Sequence, residues 1–279
     1  MAAPLEEKVL EKLGFSAPPP VTLAGLSALY FAWCRGVPFD NVAKLIHVRR
    51  GDSARLPGDD PASFFSRWLA HGCGGTCWAG NGALHHLLRW LGFDARRVIA
   101  TMLIAPDLPP NHGSVVVVLD GAEYVVDASM LHGEPLPMRP GRESTIAHPA
   151  WGVTGVWVGE QFRVRWRNFL TAGAVMECAF NRVGASAVEF SDFHEATRSW
   201  SPFNFSLSVS VLREDIRIGA ALGKLARIAA DGVLTERPVE QAERRRFLIE
   251  QVGMSEELVA ELPDDIPFAP PPRDVERAL

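Results

Sequence analysis

The stretch HGSVVVVLDGAEYVVDAS, residues 112–129, constrains the fold of this chain more tightly than any other. Two apolar, valine-rich runs flank Asp120-Gly121, a dipeptide suited to the left-handed backbone of a two-residue hairpin loop. Such a loop fixes the register: Leu119 opposes Ala122, Val115 opposes Val126, and Ser114 opposes Asp127. Side chains alternate faces along a strand, so His112 shares a face with Ser114 and therefore with Asp127. The two are diagonal neighbours with backbones roughly 7 Å apart, within reach of an imidazole–carboxylate bond. Asp127 also ends an otherwise apolar run, YVVDA, where a buried carboxylate needs a partner. A surface histidine and a strand-end aspartate bonded to its own backbone are the plainer alternatives.

The hairpin belongs to a longer β-rich region. RRVIATMLI at 96–104, GVWVGEQFRVRWRNF at 155–169 and VMECAFNRV at 175–183 read as further strands, so a β-barrel or strongly bent sheet is expected. Before Gly92 the pattern is helical. LEEKVLEKLGF stops at Gly14; TLAGLSALYFAWCRG runs from a Thr22 cap to Gly36; DDPASFFSRWLAHG has Asp60 as cap, Pro61 at the first position and Gly72 as stop. A fourth helix, ALHHLLRWL, follows the glycine-rich stretch GCGGTCWAGNG at 72–82, with Thr76 as its cap and Gly92 at its end. Past residue 190 the pattern is mixed, with a strand in FNFSLSVSVLRED, a helix over 236–253 and an extended tail from 262. The expected division is a helical bundle at 1–92, a β region at 93–190 and a mixed α/β part at 191–279.

Composition narrows the partners. The formal charge is −5 and no basic cluster exceeds Arg244-Arg245-Arg246, which argues against nucleic acid. The charged N-terminus lacks the apolar core of a signal peptide and no run of about 18 apolar residues exists, so a cytoplasmic protein away from the membrane is expected. Four cysteines in 279 residues make no disulfide framework and should be thiols.

Cys77 stands out among them. With Thr76 as cap it lies in the first turn of a helix, where unpaired N–H groups and the helix dipole favour a thiolate. The flanking glycines let a carbonyl approach backbone donors that form an oxyanion hole. A buried structural thiol is the equal alternative from this helix alone. With His112 as base and Asp127 as its orienter, Cys77 completes a nucleophilic triad. No metal is expected: Cys73 and Cys77 with His71 or His85 match no structural zinc spacing. Cys73 reads as a small packed residue, and His85-His86 as a packed or solvated pair.

These residues, taken in order, resemble a known family. VPFDN at 37–41, GGTCWAGN at 74–81, LLRWLGFDARRV at 87–98, His112, YVVDAS at 124–129 and SWSPFNFSLSV at 199–209 look like the arylamine N-acetyltransferase family. The resemblance implies an α+β fold with an N-terminal helical bundle, a central β-barrel and a C-terminal α/β lid around a cysteine-protease/transglutaminase-like catalytic core. It also implies a ping-pong acyl transfer from acetyl-CoA or another acyl-CoA, through a Cys77 thioester, to an arylamine or related amine, with no tightly bound cofactor. Phe39, Met130 and Phe203 fall at family positions that line the acceptor pocket. Trp78 and Ser129 stand where the family places other substrate-facing residues.

The chain also departs from the family. Cys73 replaces the arginine that pairs with the acidic residue at Asp40, Trp78-Ala79 replaces Phe-Glu, and ASMLHG replaces a Gly-Phe-Gly turn. Asp40 is therefore expected to lack its usual partner. An amide synthase fed by an acyl carrier protein, a Cys-His-Asp hydrolase or thioesterase, and a degenerate binding protein are the competing readings.

Overall fold

The computed structural model describes residues 3–105, 108–169 and 174–269. The N-terminal helices are α1 (Leu5–Lys12), α2 (Leu23–Gly36), α3 (Val42–Arg49), α4 (Pro61–His71) and α5 (Cys77–Trp90). Their ends follow local chemistry. Thr22 Oγ1 accepts from the Gly25 N–H at 3.2 Å, Asp60 Oδ2 accepts from the Ser63 N–H at 2.8 Å, and Gly72 closes α4 at φ +70°. Thr76 occupies the cap position of α5 but makes no side-chain cap bond, so its hydroxyl does not engage the N–H groups of that first turn. Trp33, Phe64, Phe65, Leu84 and Leu87 fill the core between these helices. The short α3 was not anticipated; Asn41 stands at its cap position, but its side chain bonds Phe203, Ser206 and Ser208 and makes no cap bond.

Eight antiparallel strands follow: β2 (Asp94–Met102), β3 (His112–Leu119), β4 (Ala122–Val126), β5 (Leu136–Pro137), β6 (Ser144–Ile146), β7 (Val153–Val158), β8 (Gln161–Arg167) and β9 (Val175–Ala185). Their spatial order is β5-β4-β3-β2-β9-β8-β7-β6, and the two end strands lie against each other, so the sheet curls into a nearly closed barrel. Val98, Val116, Val125, Phe162 and Cys178 fill its interior. The β3–β4 register is the one the loop dictates, with Leu119 opposite Ala122 and Val115 opposite Val126. Asp120 and Gly121 both take positive φ, +49° and +77°. Part of the expected loop APDLPPN, Pro106 and Asp107, lies outside the described residues.

A second, five-stranded antiparallel sheet has the order β1-β10-β11-β12-β13. Here β1 is Phe39–Asp40, β10 is Ser208–Arg213, β11 is Ile216–Ala221, β12 is Lys224–Ile228 and β13 is Leu234–Pro238. The helices α6 (Ala187–Trp200), α7 (Gln241–Phe247) and α8 (Glu256–Ala260) complete the α+β fold. Val42, Leu45 and Ile46 of α3 pack with Val209, Val211, Phe247, Leu248 and Val252, so chain from both ends shares one core.

Two differences from the sequence reading have clear causes. Residues 236–238 of the expected helix pair with β12 as part of β13, which holds the helix back until Gln241. The helix α6 was not anticipated, although Ser186 and Glu189 form a reciprocal capping box at its start. The expected tail is extended as far as it is described, with the Ile266 N–H bonded to Phe205 O at 2.9 Å; residues 270–279 lie outside. Among the described residues no helix is long and apolar enough to cross a membrane.

Gly113 shows how tightly α5, α6 and β3 meet. A Cβ there would sit 2.5 Å from Phe190 Cζ and 2.6 Å from Trp78 Cε3. Gly113→Ala should therefore lower stability by about 1–3 kcal/mol through overpacking, read as a reduced urea midpoint at unchanged m-value.

Candidate active site

Cys77 begins α5 and is almost fully buried, with its Sγ 4.0 Å from the Asn111 carbonyl. The loop ahead of it is pinned by β1. Phe39 bridges Gly75 in parallel, the Asp40 N–H donates to Gly75 O at 3.1 Å, and Asp40 Oδ2 accepts from the Gly74 N–H at 2.6 Å. Glycine is needed at 74 because a Cβ would fall 1.9 Å from Pro38 O. Asp40 thus binds the loop before Cys77 directly, through the Gly74 N–H and without a guanidinium. Its other oxygen accepts from the Val42 N–H at 3.0 Å, and among the described residues it has no ion pair. Burial outweighs those two bonds and the field of Arg67, and pushes its pKa up to about 6. Cys73 is fully buried in the second core, where burial pushes its thiol upward.

His112 opens β3 and Asp127 follows β4, so the hairpin sets one beside the other. His112 Nε2 lies 2.9 Å from Asp127 Oδ2, with the imidazole nearly and the carboxylate fully buried. The second oxygen, Oδ1, accepts from Ser129 N–H at 2.8 Å, Ser129 Oγ–H at 2.7 Å, Met130 N–H at 3.0 Å and Asn81 Nδ2–H at 3.3 Å. Asn81, one turn into α5 from Cys77, also donates to Gly113 O at 2.7 Å and accepts from Ala128 N–H at 2.9 Å. It therefore ties the helix bearing the thiol to both strands of the hairpin.

Burial alone would raise Asp127, but the charge and hydrogen bond of His112 hold it far below the usual carboxylate range. Burial works to lower His112, yet the Asp127 charge, with contributions from Cys178 and Cys77, raises it well above the ordinary imidazole value. The signs define a window. Asp127, lowered on folding, stabilises fully above about pH 4 and loses that contribution as pH falls through its folded value. His112, raised on folding, stabilises fully below about pH 6.5 and loses it as pH rises through its folded value.

The five other expected site residues separate into two groups. Phe39 and Phe203, both half-buried, meet edge to face with ring centroids 5.5 Å apart, and Ser129 is bound to Asp127. Trp78 instead packs inside the α5–α6 interface against Phe190 and Phe193, and Met130 lies in the barrel interior. His85 is buried and His86 pairs with Glu6 at 2.8 Å. Among the described residues no group of three potential ligands is placed to hold a metal.

One charged group near the site escaped the sequence. Lys44 of α3 is buried and donates to Thr197 Oγ1 at 2.7 Å and, at 3.4 Å, to its carbonyl. Burial lowers its pKa to about 7 against the opposing field of Cys77. A lysine among the buried Val42, Leu45 and Ile46 was the available signal.

The curled sheet with the helices around it makes this an α+β protein, in which a helix-start cysteine and a buried imidazole–carboxylate pair stand on neighbouring elements. The sequence profile described as N-acetyltransferase matches residues 22–255, and the chain belongs to that family. It is 23% identical over 222 residues to an arylamine N-acetyltransferase of Mycolicibacterium smegmatis, covering 75% of this chain and 76% of that relative. Its fold is similar to that of the arylamine N-acetyltransferase from Salmonella typhimurium, with a TM-score of 0.76 at 16% identity over 91% of this chain and 92% of that one. The Mycobacterium marinum arylamine N-acetyltransferase in complex with CoA gives a TM-score of 0.76 at 18% identity, covering 92% and 94% respectively.

Asp40 supplies a pH test. Its raised pKa means that its contribution is complete below about pH 3.9 and is lost as pH rises through about 6. Relative to the wild type, Asp40→Asn should gain stability between pH 4.5 and 7.5, by up to about 3 kcal/mol in paired urea titrations.

Proposed function

We propose that the protein transfers an acetyl group from acetyl-CoA to an arylamine through a thioester on Cys77, with His112 as base and Asp127 as its orienter. The observation that carries this reading is the 2.9 Å His112–Asp127 bond, set by the hairpin next to the helix that begins at Cys77. The CoA-bound M. marinum relative supports the donor, and the relatives' being arylamine N-acetyltransferases supports the acceptor.

The chemistry follows from the site. Asp127 engages Nε2, which leaves Nδ1 as the histidine nitrogen for proton transfer. The Cys77 proton moves to His112, the sulfur attacks the thioester carbonyl, and the tetrahedral oxyanion collapses as the CoA sulfur leaves with that proton. First-turn N–H groups of α5, not engaged by a Thr76 cap, are suited to the oxyanion. The amine then attacks the Cys77 thioester and gives up a proton to His112; collapse releases the amide and restores the thiol. Phe39 and Phe203 offer aromatic surface for a flat acceptor. Nothing in the geometry favours a carrier-protein donor over CoA.

Mixing with acetyl-CoA should add about 42 Da to Cys77 in an intact-mass spectrum, discharged by an anisidine. Absence of both the adduct and acetyl-CoA hydrolysis would reject the assignment. Cys77→Ala should abolish the adduct, and His112→Gln should slow its formation by about 10²–10⁴-fold in rapid-quench measurements.

A further inference from the structure

The turn that follows β4, residues 127–132, gives Asp127 its aim, and its shape is unusual. Leu131 sits at φ +54°, a left-handed conformation that a leucine seldom takes, with its side chain fully buried in the main core. The turn is closed on one side by the bonds from Ser129 and Met130 to Asp127 Oδ1 and by the Leu131 N–H to Asp127 O at 3.1 Å. On the other side stands a single side chain from α2, Tyr30, fully buried. Its hydroxyl donates to Asp127 O at 2.8 Å and accepts from the Asp127 N–H at 3.1 Å and the His132 N–H at 3.3 Å. One O–H donor and two lone pairs are thereby all used, spanning both ends of the turn.

We propose that Tyr30 is a positioning residue for the His112–Asp127 pair, its hydroxyl clamping the 127–132 turn in the left-handed shape that keeps the carboxylate aimed at His112. The inference deepens the acetyl-transfer reading and rests on it for its kinetic consequence alone. Removing the hydroxyl leaves two N–H groups and a carbonyl without that partner in a fully buried position, and the turn recovers protein partners only by moving. Leu131 supplies the pull, since relaxing its φ moves the backbone between Met130 and His132. The clamp is a neutral one: burial, with neighbouring Cys34 and the Asp127 carboxylate, holds the Tyr30 pKa well above the ordinary phenol value. His132, stacked at an angle on Tyr30 with ring centroids 4.9 Å apart, bonds Glu134 O through Nδ1 at 2.7 Å, and burial lowers its pKa to about 4, so it too is neutral.

The experiment compares wild type, Tyr30→Phe and Tyr30→Phe/Leu131→Gly, using acetyl-CoA and an anisidine, with rates normalised to the Cys77 fraction that acylates. It also follows the His112 ring by NMR across pH without any substrate. The titratable groups facing that imidazole are Asp127, Cys178 and Cys77, and burial pushes the Cys178 thiol up to about 12. Tyr30→Phe should lower kcat at least about tenfold with the amine KM within about twofold, and lower the His112 midpoint by at least about half a unit, because a displaced carboxylate holds the imidazolium less well. Glycine at 131 removes the pull, so the double variant should regain most of both. An unchanged His112 midpoint in Tyr30→Phe, a loss accounted for by the non-acylating fraction, or a double variant no better than the single one each overturns the proposal. The NMR readout still decides it when wild type fails to acetylate, an outcome that instead rejects the acetyl-transfer reading.

Discussion

The bond between His112 and Asp127 is the contact to which the rest of the structure is fitted. A carboxylate with no exposure is tolerated only when its lone pairs are filled and a cation lies against it. Here the histidine supplies the cation, and Ser129, Met130 and Asn81 fill the remaining oxygen. Each element around it has a task in that arrangement. The hairpin sets the register, α5 brings Asn81 and Cys77 together, and α2 buttresses the turn that carries the aspartate.

How much of this was legible depended on the range of the interactions. The hairpin register and three of the helix ends were readable because a two-residue loop, a cap or a glycine stop acts within a few residues. The pairing of His112 with Asp127 was readable for the same reason. Tyr30 was not, since its partner lies 97 positions away and a tyrosine on an apolar helix face looks like any core residue. The second sheet was only partly foreseen. Ile216–Ala221 carries a glycine and two alanines with little strand character, and it forms because β10 and β12 pair with it on both sides.

The departures from family pattern around Cys77 have a coherent physical reading. Without an arginine at 73, the loop is bonded to Asp40 through the Gly74 N–H, and a small buried thiol fills the space beside it. Trp78 and Ala79 turn the start of α5 into a packing surface, the tryptophan against α6 and the alanine beneath Gly58 and Gly75. Order in the loop then comes from close packing and backbone bonds in place of a buried ion pair, and the cost is a lone buried carboxylate whose pKa burial raises to about 6.

The two-residue strand β1 has a wider consequence. One neighbour is β10 of the second sheet and the other is Gly75 of the loop before Cys77, so the last third of the chain is joined to that loop by continuous backbone hydrogen bonding. The second sheet is therefore part of the scaffold of Cys77. A chimera that exchanges this sheet for a relative's to alter amine preference also exchanges one wall of the mounting of Cys77, and the two cannot be engineered as separate modules in this architecture.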